Sequence, residues 1–375
     1  MMETIYAMAL SHMPRMSLSN INMLYTTLGS ATAVFENRHN IRDILPDATQ
    51  RLCDTIKDMD EPLKRAEAEM EFAQKKNIRC LTMQDADYPQ RLLECPDAPI
   101  VLYFCGNANL NSSRIINIIG TRHCTEYGRD ICTHFISDLQ RHLPDVLIVS
   151  GLAYGIDINA HRAALDNGMQ TIGVLAHGLD RIYPSVHRTT AANMARQGGL
   201  LTEYMSQTIP DKLNFVRRNR IVAGMCDATI VVESAAKGGA LITAELAESY
   251  HRDVFAFPGR VYDQYSEGCN RLIKSNRATL IQTADDFLSA MGWETQHSNS
   301  PAPLQQELFP ELTDDERLII STLKKVDDKQ INQIVVETGL PFSRISSLMF
   351  ELELKGLVRV LGGARYKLCK RQDNK

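Results

Sequence analysis

Between residues 115 and 283 the chain alternates continuous apolar runs with stretches of helical spacing. Runs at 115–120, 146–151, 171–178, 199–204, 228–234, 253–259 and 278–283 read as strands. Helical periodicity at 126–143, 157–168, near 187–197, near 214–225 and at 240–251 separates them. Strands apolar on both sides, joined through helices, predict a parallel sheet covered on both faces. The predicted fold class is therefore α/β: a doubly wound, mainly parallel, Rossmann-like sheet. The flanks differ. Residues 1–75 show helical spacing with short polar breaks and predict a small helical, SAM-like domain. After a Pro-, Gln- and Ser-rich stretch comes a Thr313/Glu316 capping box, three helical segments and two short strands around Gly362-Gly363. That alternation predicts a winged helix. The expected boundaries are 1–75, 76–292, a linker at 293–312, and 313–370.

Composition narrows the class. With 44% hydrophobic and 23% charged residues, the 375-residue chain is ordinary for a globular protein. No apolar run approaches the roughly 18 residues of a membrane span. The first residues lack a basic start and a long apolar stretch, so no secretory signal is expected. The nine cysteines are dispersed and form no CxxC pair, which predicts reduced thiols, a cytoplasmic location and no metal site. The net charge of −4 excludes a uniformly basic nucleic-acid binder. However, 15 of the 18 basic residues between 112 and 312 are arginine, whose planar fork suits phosphate oxygens.

Candidate chemistry sits at the carboxyl ends of the strands, where ligands bind in open parallel sheets. The loops there read "GTRHCTEYG", "SGLAYGID", "HGLDRIYPSVHRTT", "SAAKGGALITAE" and "PGRVYDQYSEGCNR". Glycine lets a backbone approach an anion, and helix N-termini offer free N–H groups. Five such loops on one edge predict a phosphate-binding rim. No GxGxxG and no GxxxxGK[ST] is present, so neither a dinucleotide fingerprint nor a Walker loop supports a cofactor. His161 reads first as a packing residue, Asp157 as a helix cap and Tyr183-Pro184 as a turn. Tyr127, Tyr154, Tyr183 and Phe215 are the candidates for base stacking. The winged helix reads equally as a nucleic-acid or a protein-interaction module.

Taken together, these loops with "GGLLTEY", "FVRRNRIVAGMCDATIVVE" and "VFAFPG" resemble the DprA/Smf family of DNA-processing proteins. The resemblance is dense over residues 80–290. It implies a non-enzymatic protein that binds single-stranded DNA, protects incoming DNA and loads the RecA recombinase during natural transformation, acting as a homodimer. Carried over by motif, it implies DNA contacts at Gly120, Thr121 and Arg122, at Ser150 and Gly151, at Arg188, at Arg218, Asn219 and Arg220, and at Gly238, Gly239 and Thr243. Gly238-Gly239-Ala240 stands where the family more usually has Ser-Gly-Ser, which leaves backbone donors and no hydroxyls. In a helix, Arg217 and Arg220 share a face while Arg218 points elsewhere. One matched arginine is therefore expected in the rim and another against a carboxylate such as Glu203 or Glu233. Two alternatives stand beside this reading. "GGALITAE", with Glu245, echoes the loop of lysine-decarboxylase-like enzymes that cleave nucleoside monophosphates. A nucleotide-sensing module is the other.

Overall fold

The computed structural model describes residues 2–293, 312–324, 329–355, 357–361 and 365–368. They form two compact units, divided between residues 295 and 296. No described helix is long and apolar enough to cross a membrane.

The first unit is built on nine strands: β1 (Arg79–Thr82), β2 (Val101–Gly106), β3 (Ile115–Ile119), β4 (Leu147–Ser150), β5 (Thr171–Val174), β6 (Gly199–Thr202), β7 (Ala228–Val231), β8 (Asp253–Ala256) and β9 (Thr279–Leu280). Their order across the sheet is β1-β2-β6-β5-β4-β3-β7-β8-β9. From β6 to β9 every pairing is parallel, and only β1–β2 and β2–β6 are antiparallel. Alternation does the sorting. Ile115, Ile119, Leu147 and Val149 face one core, while Ile116, Ile118 and Ile148 face the other. Helices Lys212–Gly224 and Gly239–Ser249 cover the first face, and Glu126–His142 and Ile156–Asp166 the second. From β3 the chain winds outward through β4, β5 and β6, then returns to β3's other side for β7, β8 and β9. The switch point thus lies between β3 and β7, where an open sheet of this kind leaves a crevice.

The strands after β2 follow the predicted positions, and the antiparallel pair β1–β2 is the addition. β2 is apolar on both sides because it divides two cores. Leu102 and Phe104 belong to the sheet core, and Val101 and Tyr103 to a core built with the N-terminal helices. Those helices, from Met2–Ser11 to Asp60–Lys75, are therefore part of the same compact unit as the sheet. A polar clasp adds to the apolar contact. Glu69, 3% exposed, accepts from the backbone N–H (2.8 Å) and hydroxyl (2.5 Å) of Ser206, while Arg65 bonds Glu69 (2.9 Å) and the Ser206 carbonyl (2.6 Å).

The second unit has helices Asp314–Leu323, Ile331–Thr338 and Phe342–Leu354 and a three-stranded sheet. The Thr313/Glu316 capping box forms, and Glu316, fully buried, also receives Lys355 Nζ at 2.6 Å. The third helix leaves Phe342, Phe350 and Leu354 exposed. Gly362 and Gly363, and residues 294–311 of the expected linker, lie outside the described residues.

Removing the carboxylate of the clasp, Glu69→Ala, leaves the Ser206 N–H and part-buried Arg65 without their partner. We expect a loss of about 2–4 kcal/mol in unfolding free energy, read from the urea midpoint of the intact protein. A change below about 0.5 kcal/mol would show that the clasp contributes nothing.

Candidate functional site

At the switch point the loops after β3, β4 and β7 and helix 212–224 enclose a cleft of about 980 Å³. The loop after β3 is fixed by its neighbours. Thr121 N–H donates to Glu233 O (2.7 Å), and Ile156 N–H donates to Thr121 O (3.1 Å). Glu233 also caps helix 126–142 with its side chain, accepting from Thr125 N–H (2.9 Å) and Oγ1 (2.5 Å). Gly155 closes the arrangement at φ +80°, where a Cβ would stand 2.0 Å from Thr121 O. Only glycine fits this backbone and this approach.

Arg122 projects from that loop, exposed, with its guanidinium carbon 5.1 Å from the centroid of Phe215. Phe215 leans on Tyr183 (centroids 5.9 Å apart), and His123, also in the lining, stacks with Tyr265 at 6.0 Å. Lys212 and Lys237 also line the cleft and are exposed. Helix 239–249 starts at its edge. Its N-cap Gly238 supplies no side-chain bond; Leu241 N–H donates to Gly238 O (3.1 Å), and the N–H groups of Gly239 and Ala240 have no side-chain cap. Four basic side chains and a bare helix N-terminus outweigh the two lining carboxylates, Asp157 and Asp211.

Arg218 is the deepest of these bases, 5% exposed. One of its terminal nitrogens donates to the carbonyl of Val174, and its Nε has no partner. Burial lowers its pKa, nearby Asp157 opposes that and Arg122 adds to it. Asp157 is shifted the other way: burial raises it and Arg218 draws it down. Neither charge is fully answered by the other. Gly151 makes room for both, since a Cβ there would meet Asp157 Oδ2 at 2.3 Å and the Arg218 guanidinium at 2.6 Å. A buried guanidinium with unused donors beside an open cleft is a seat for an anion.

The predicted rim residues divide. Gly120, Thr121, Arg122, Gly151, Arg218, Asn219, Gly238, Gly239 and Thr243 all line the cleft. Thr243 does so with its hydroxyl turned to Gly239 O (3.3 Å). Three expectations change. Ser150 is fully buried and gives its hydroxyl to Ile118 O at 2.6 Å, so it offers no donor to a ligand. Arg220 lies two positions from Arg218, on the opposite side of the helix, and grips Glu203 through two bonds of 2.8 and 2.7 Å. Burial pulls its pKa down, but Glu203 outweighs it and the net shift is upward. Of the two carboxylates considered, Glu203 is its partner. Arg188 is exposed and outside the cleft. Arg217, expected on Arg220's face, is exposed to solvent.

His161 packs beneath the site, as its sequence context suggested. Its Nε2 meets Gly151 O, and its Nδ1 lies 2.7 Å from Thr171 Oγ1. The Nε2–H tautomer serves the first contact, while the Thr171 hydroxyl also donates to Ile148 O at 3.0 Å. Tyr127 hydrogen-bonds Pro258 O and so pins a loop. Lys212, Lys237, His123 and Tyr265 were not singled out from sequence. The last three lie in the loops read as the rim, and the missing signal was which side chains turn inward. Among the described residues no group of His, Cys, Asp and Glu could hold a metal.

Comparison with known proteins agrees with this geometry. Residues 79–292 match the family described as DNA recombination-mediator protein A, and residues 300–364 match the DprA winged helix domain. The chain belongs to the DprA family. Protein Smf of Synechocystis is 35% identical over 80% of this chain and 82% of its own length. DprA of Streptococcus pneumoniae is 40% identical over 55% and 71%. The crystal structure of the S. pneumoniae DprA superposes with a TM-score of 0.63 at 32% identity, covering 76% of this chain and 96% of that one. A Helicobacter pylori DNA processing protein A, studied for its single-stranded DNA binding mode, gives 0.52 at 30% identity, covering 57% and 96%. The DprA-family architecture of Rossmann-like and winged-helix domains is thus the architecture of this chain.

Two outcomes test the packing around the cleft. Arg220→Ala leaves part-buried Glu203 unpaired, and about 2–4 kcal/mol of stability is expected to go with it. A midpoint equal to wild type in chemical denaturation would contradict the pairing. His161 titrates at about 4 in the folded chain because burial disfavours its cation, against an ordinary value near 6.5. The unfolded chain therefore takes up this proton first. Stability should fall as pH drops from about 6.5 to 4, and fall less steeply in His161→Gln.

Proposed function

We propose that this chain binds single-stranded DNA through the cleft, chiefly by its phosphodiester backbone. The observation that carries the reading is Arg218, buried with unused donors at the base of a cleft whose other cations, Arg122, Lys212 and Lys237, make no ion pair among the described residues. Phosphate contacts carry no sequence information, so binding is broadly indifferent to base order and sensitive to salt. The aromatic pairs Tyr183–Phe215 and His123–Tyr265 add surface for bases, each of which has a face to stack. The single-stranded DNA binding described for the H. pylori relative supports the same ligand here.

The chain acts as a binding protein rather than an enzyme. Glu245, the carboxylate that the nucleotide-cleaving alternative requires, faces away from the cleft and meets Arg277 at 3.3 Å. Asp157, the deep carboxylate, is buried against Arg218 instead of standing free to move a proton. Within this reading the protein is a cytoplasmic homodimer that protects incoming DNA and hands it to RecA during transformation. Family membership is the support for that finer role.

Arg122 is exposed and its removal should not disturb the core, which makes it the clean test. Arg122→Ala is expected to weaken binding of a labelled oligo-dT by about 1–3 kcal/mol in fluorescence anisotropy, with affinity falling steeply as salt rises. Wild-type affinity in the variant, or a flat salt response in the parent, would refute the cleft as the DNA site. Free nucleotides should fail to displace oligo-dT, whereas displacement by them would favour a nucleotide sensor. Faster RecA filament growth on protein-coated strands would support the loading role.

A further inference from the structure

We propose that Tyr154 and Arg162 form an outer contact for the DNA strand, taking up the base and phosphodiester that follow those held in the cleft. This rests on the reading of the cleft as the strand's binding site. Tyr154 directly follows Ala153, a lining residue, and stands at the cleft's margin with half its surface exposed. It is not loose. Its ring meets His187 edge-on, centroids 5.1 Å apart at 67°. His187 is 3% exposed, and neither ring nitrogen has a hydrogen-bond partner. Burial, with Arg162 close by, lowers the pKa of the imidazole, and its ring gives Tyr154 a packed seat. A tyrosine so supported keeps ring surface toward solvent, as a stacking platform needs.

Arg162 emerges beside that seat. It lies one turn from Ile158 and from Leu165, which pack helix 156–166 against Ala191 and Met194 of helix Arg188–Gln197. Arg162 therefore sits on the face of helix 156–166 that meets the second helix, and His187 and Arg188 stand at that second helix's N-terminus. Arg162 and Arg188 are both exposed, and neither makes an ion pair among the described residues. Some exposed arginines of this unit, such as Arg79, Arg129 and Arg141, have a carboxylate within 4.0 Å, and others, such as Arg196 and Arg217, do not. Two uncompensated guanidiniums flanking one histidine make a local positive field. With the aromatic face of Tyr154 adjoining, the pair matches one nucleotide: a phosphate for the cation and a base for the ring. Because this contact is continuous with the cleft through Ala153, the same strand can reach both.

The two halves of the proposal separate on two ligands: labelled dT15, and a 15-mer phosphodiester of the same length lacking bases. Arg162→Ala should weaken both about fivefold and reduce the log–log salt slope by about 0.7. Arg162→Lys should keep that slope. Tyr154→Ala should weaken dT15 by about tenfold and leave the baseless strand unchanged, while Tyr154→Phe keeps wild-type affinity for both. Thermal melting shows whether each variant is folded. If Arg162→Ala and Tyr154→Ala bind dT15 like the parent while Arg122→Ala does not, the outer contact is wrong and the cleft stands. Equal losses on both ligands in Tyr154→Ala make the ring a prop for its loop, which also overturns the proposal. If Arg122→Ala binds normally too, the cleft reading fails and takes this one with it.

Discussion

A buried guanidinium must be met by acceptors or by negative charge, and helix 212–224 carries two of them. Its second half is packed between the sheet and the neighbouring helix, and residues 218 and 220 are both buried there. Their fates differ because of what each side offers. Arg220 finds a carboxylate at the end of β6 and closes two bonds on it. Arg218 finds a carbonyl, a carboxylate that burial itself discourages from ionising, and an opening. The first arrangement locks the helix. The second leaves a charge whose solvation is incomplete until a ligand supplies the remainder. In the proposed reading recognition depends on that difference, since a rim of exposed lysines and arginines alone would attract anions without fixing their depth.

The N-terminal helices bear on the same point from a distance. By covering the second face of β2 they bury Val101 and Tyr103, and through Glu69 they hold the turn at Ser206. That turn precedes Pro210 and Asp211, which line the cleft and start helix 212–224. The helical segment is thus a buttress for the entry to the helix that matters most.

Much of this was legible in the sequence, for identifiable reasons. Parallel strands buried on both faces leave unbroken apolar runs, so β3 to β8 announce themselves. Glycine and arginine at the run ends mark the ligand edge. The loops that carry Arg122 and Gly151 were found that way, and the resemblance to the DprA/Smf motifs picked out those two residues. What escaped were facts set by distant partners. Nothing near Arg220 says that Glu203 will reach it, and nothing near Ser150 says that Ile118 will take its hydroxyl. β1 and β2 were passed over because their pairing is with each other and with β6, nearly a hundred residues from β2. Lys237 and Tyr265 lay in loops already read as functional, but inward and outward side chains in a loop have no period to betray them.

One feature of the sheet bears on the protein's life at high concentration. An open parallel sheet ends in two edges, and each is a template on which another chain can add a strand. Here both edges are made poor templates. β9 is only two residues long, and β1 is four residues long with its first residue, Arg79, in an ion pair with Asp87. Long-range parallel sheets also assemble slowly, which lengthens the time their edges stand open. Short, charged margins keep a chain with such an apolar centre from joining its neighbours into aggregates while it folds.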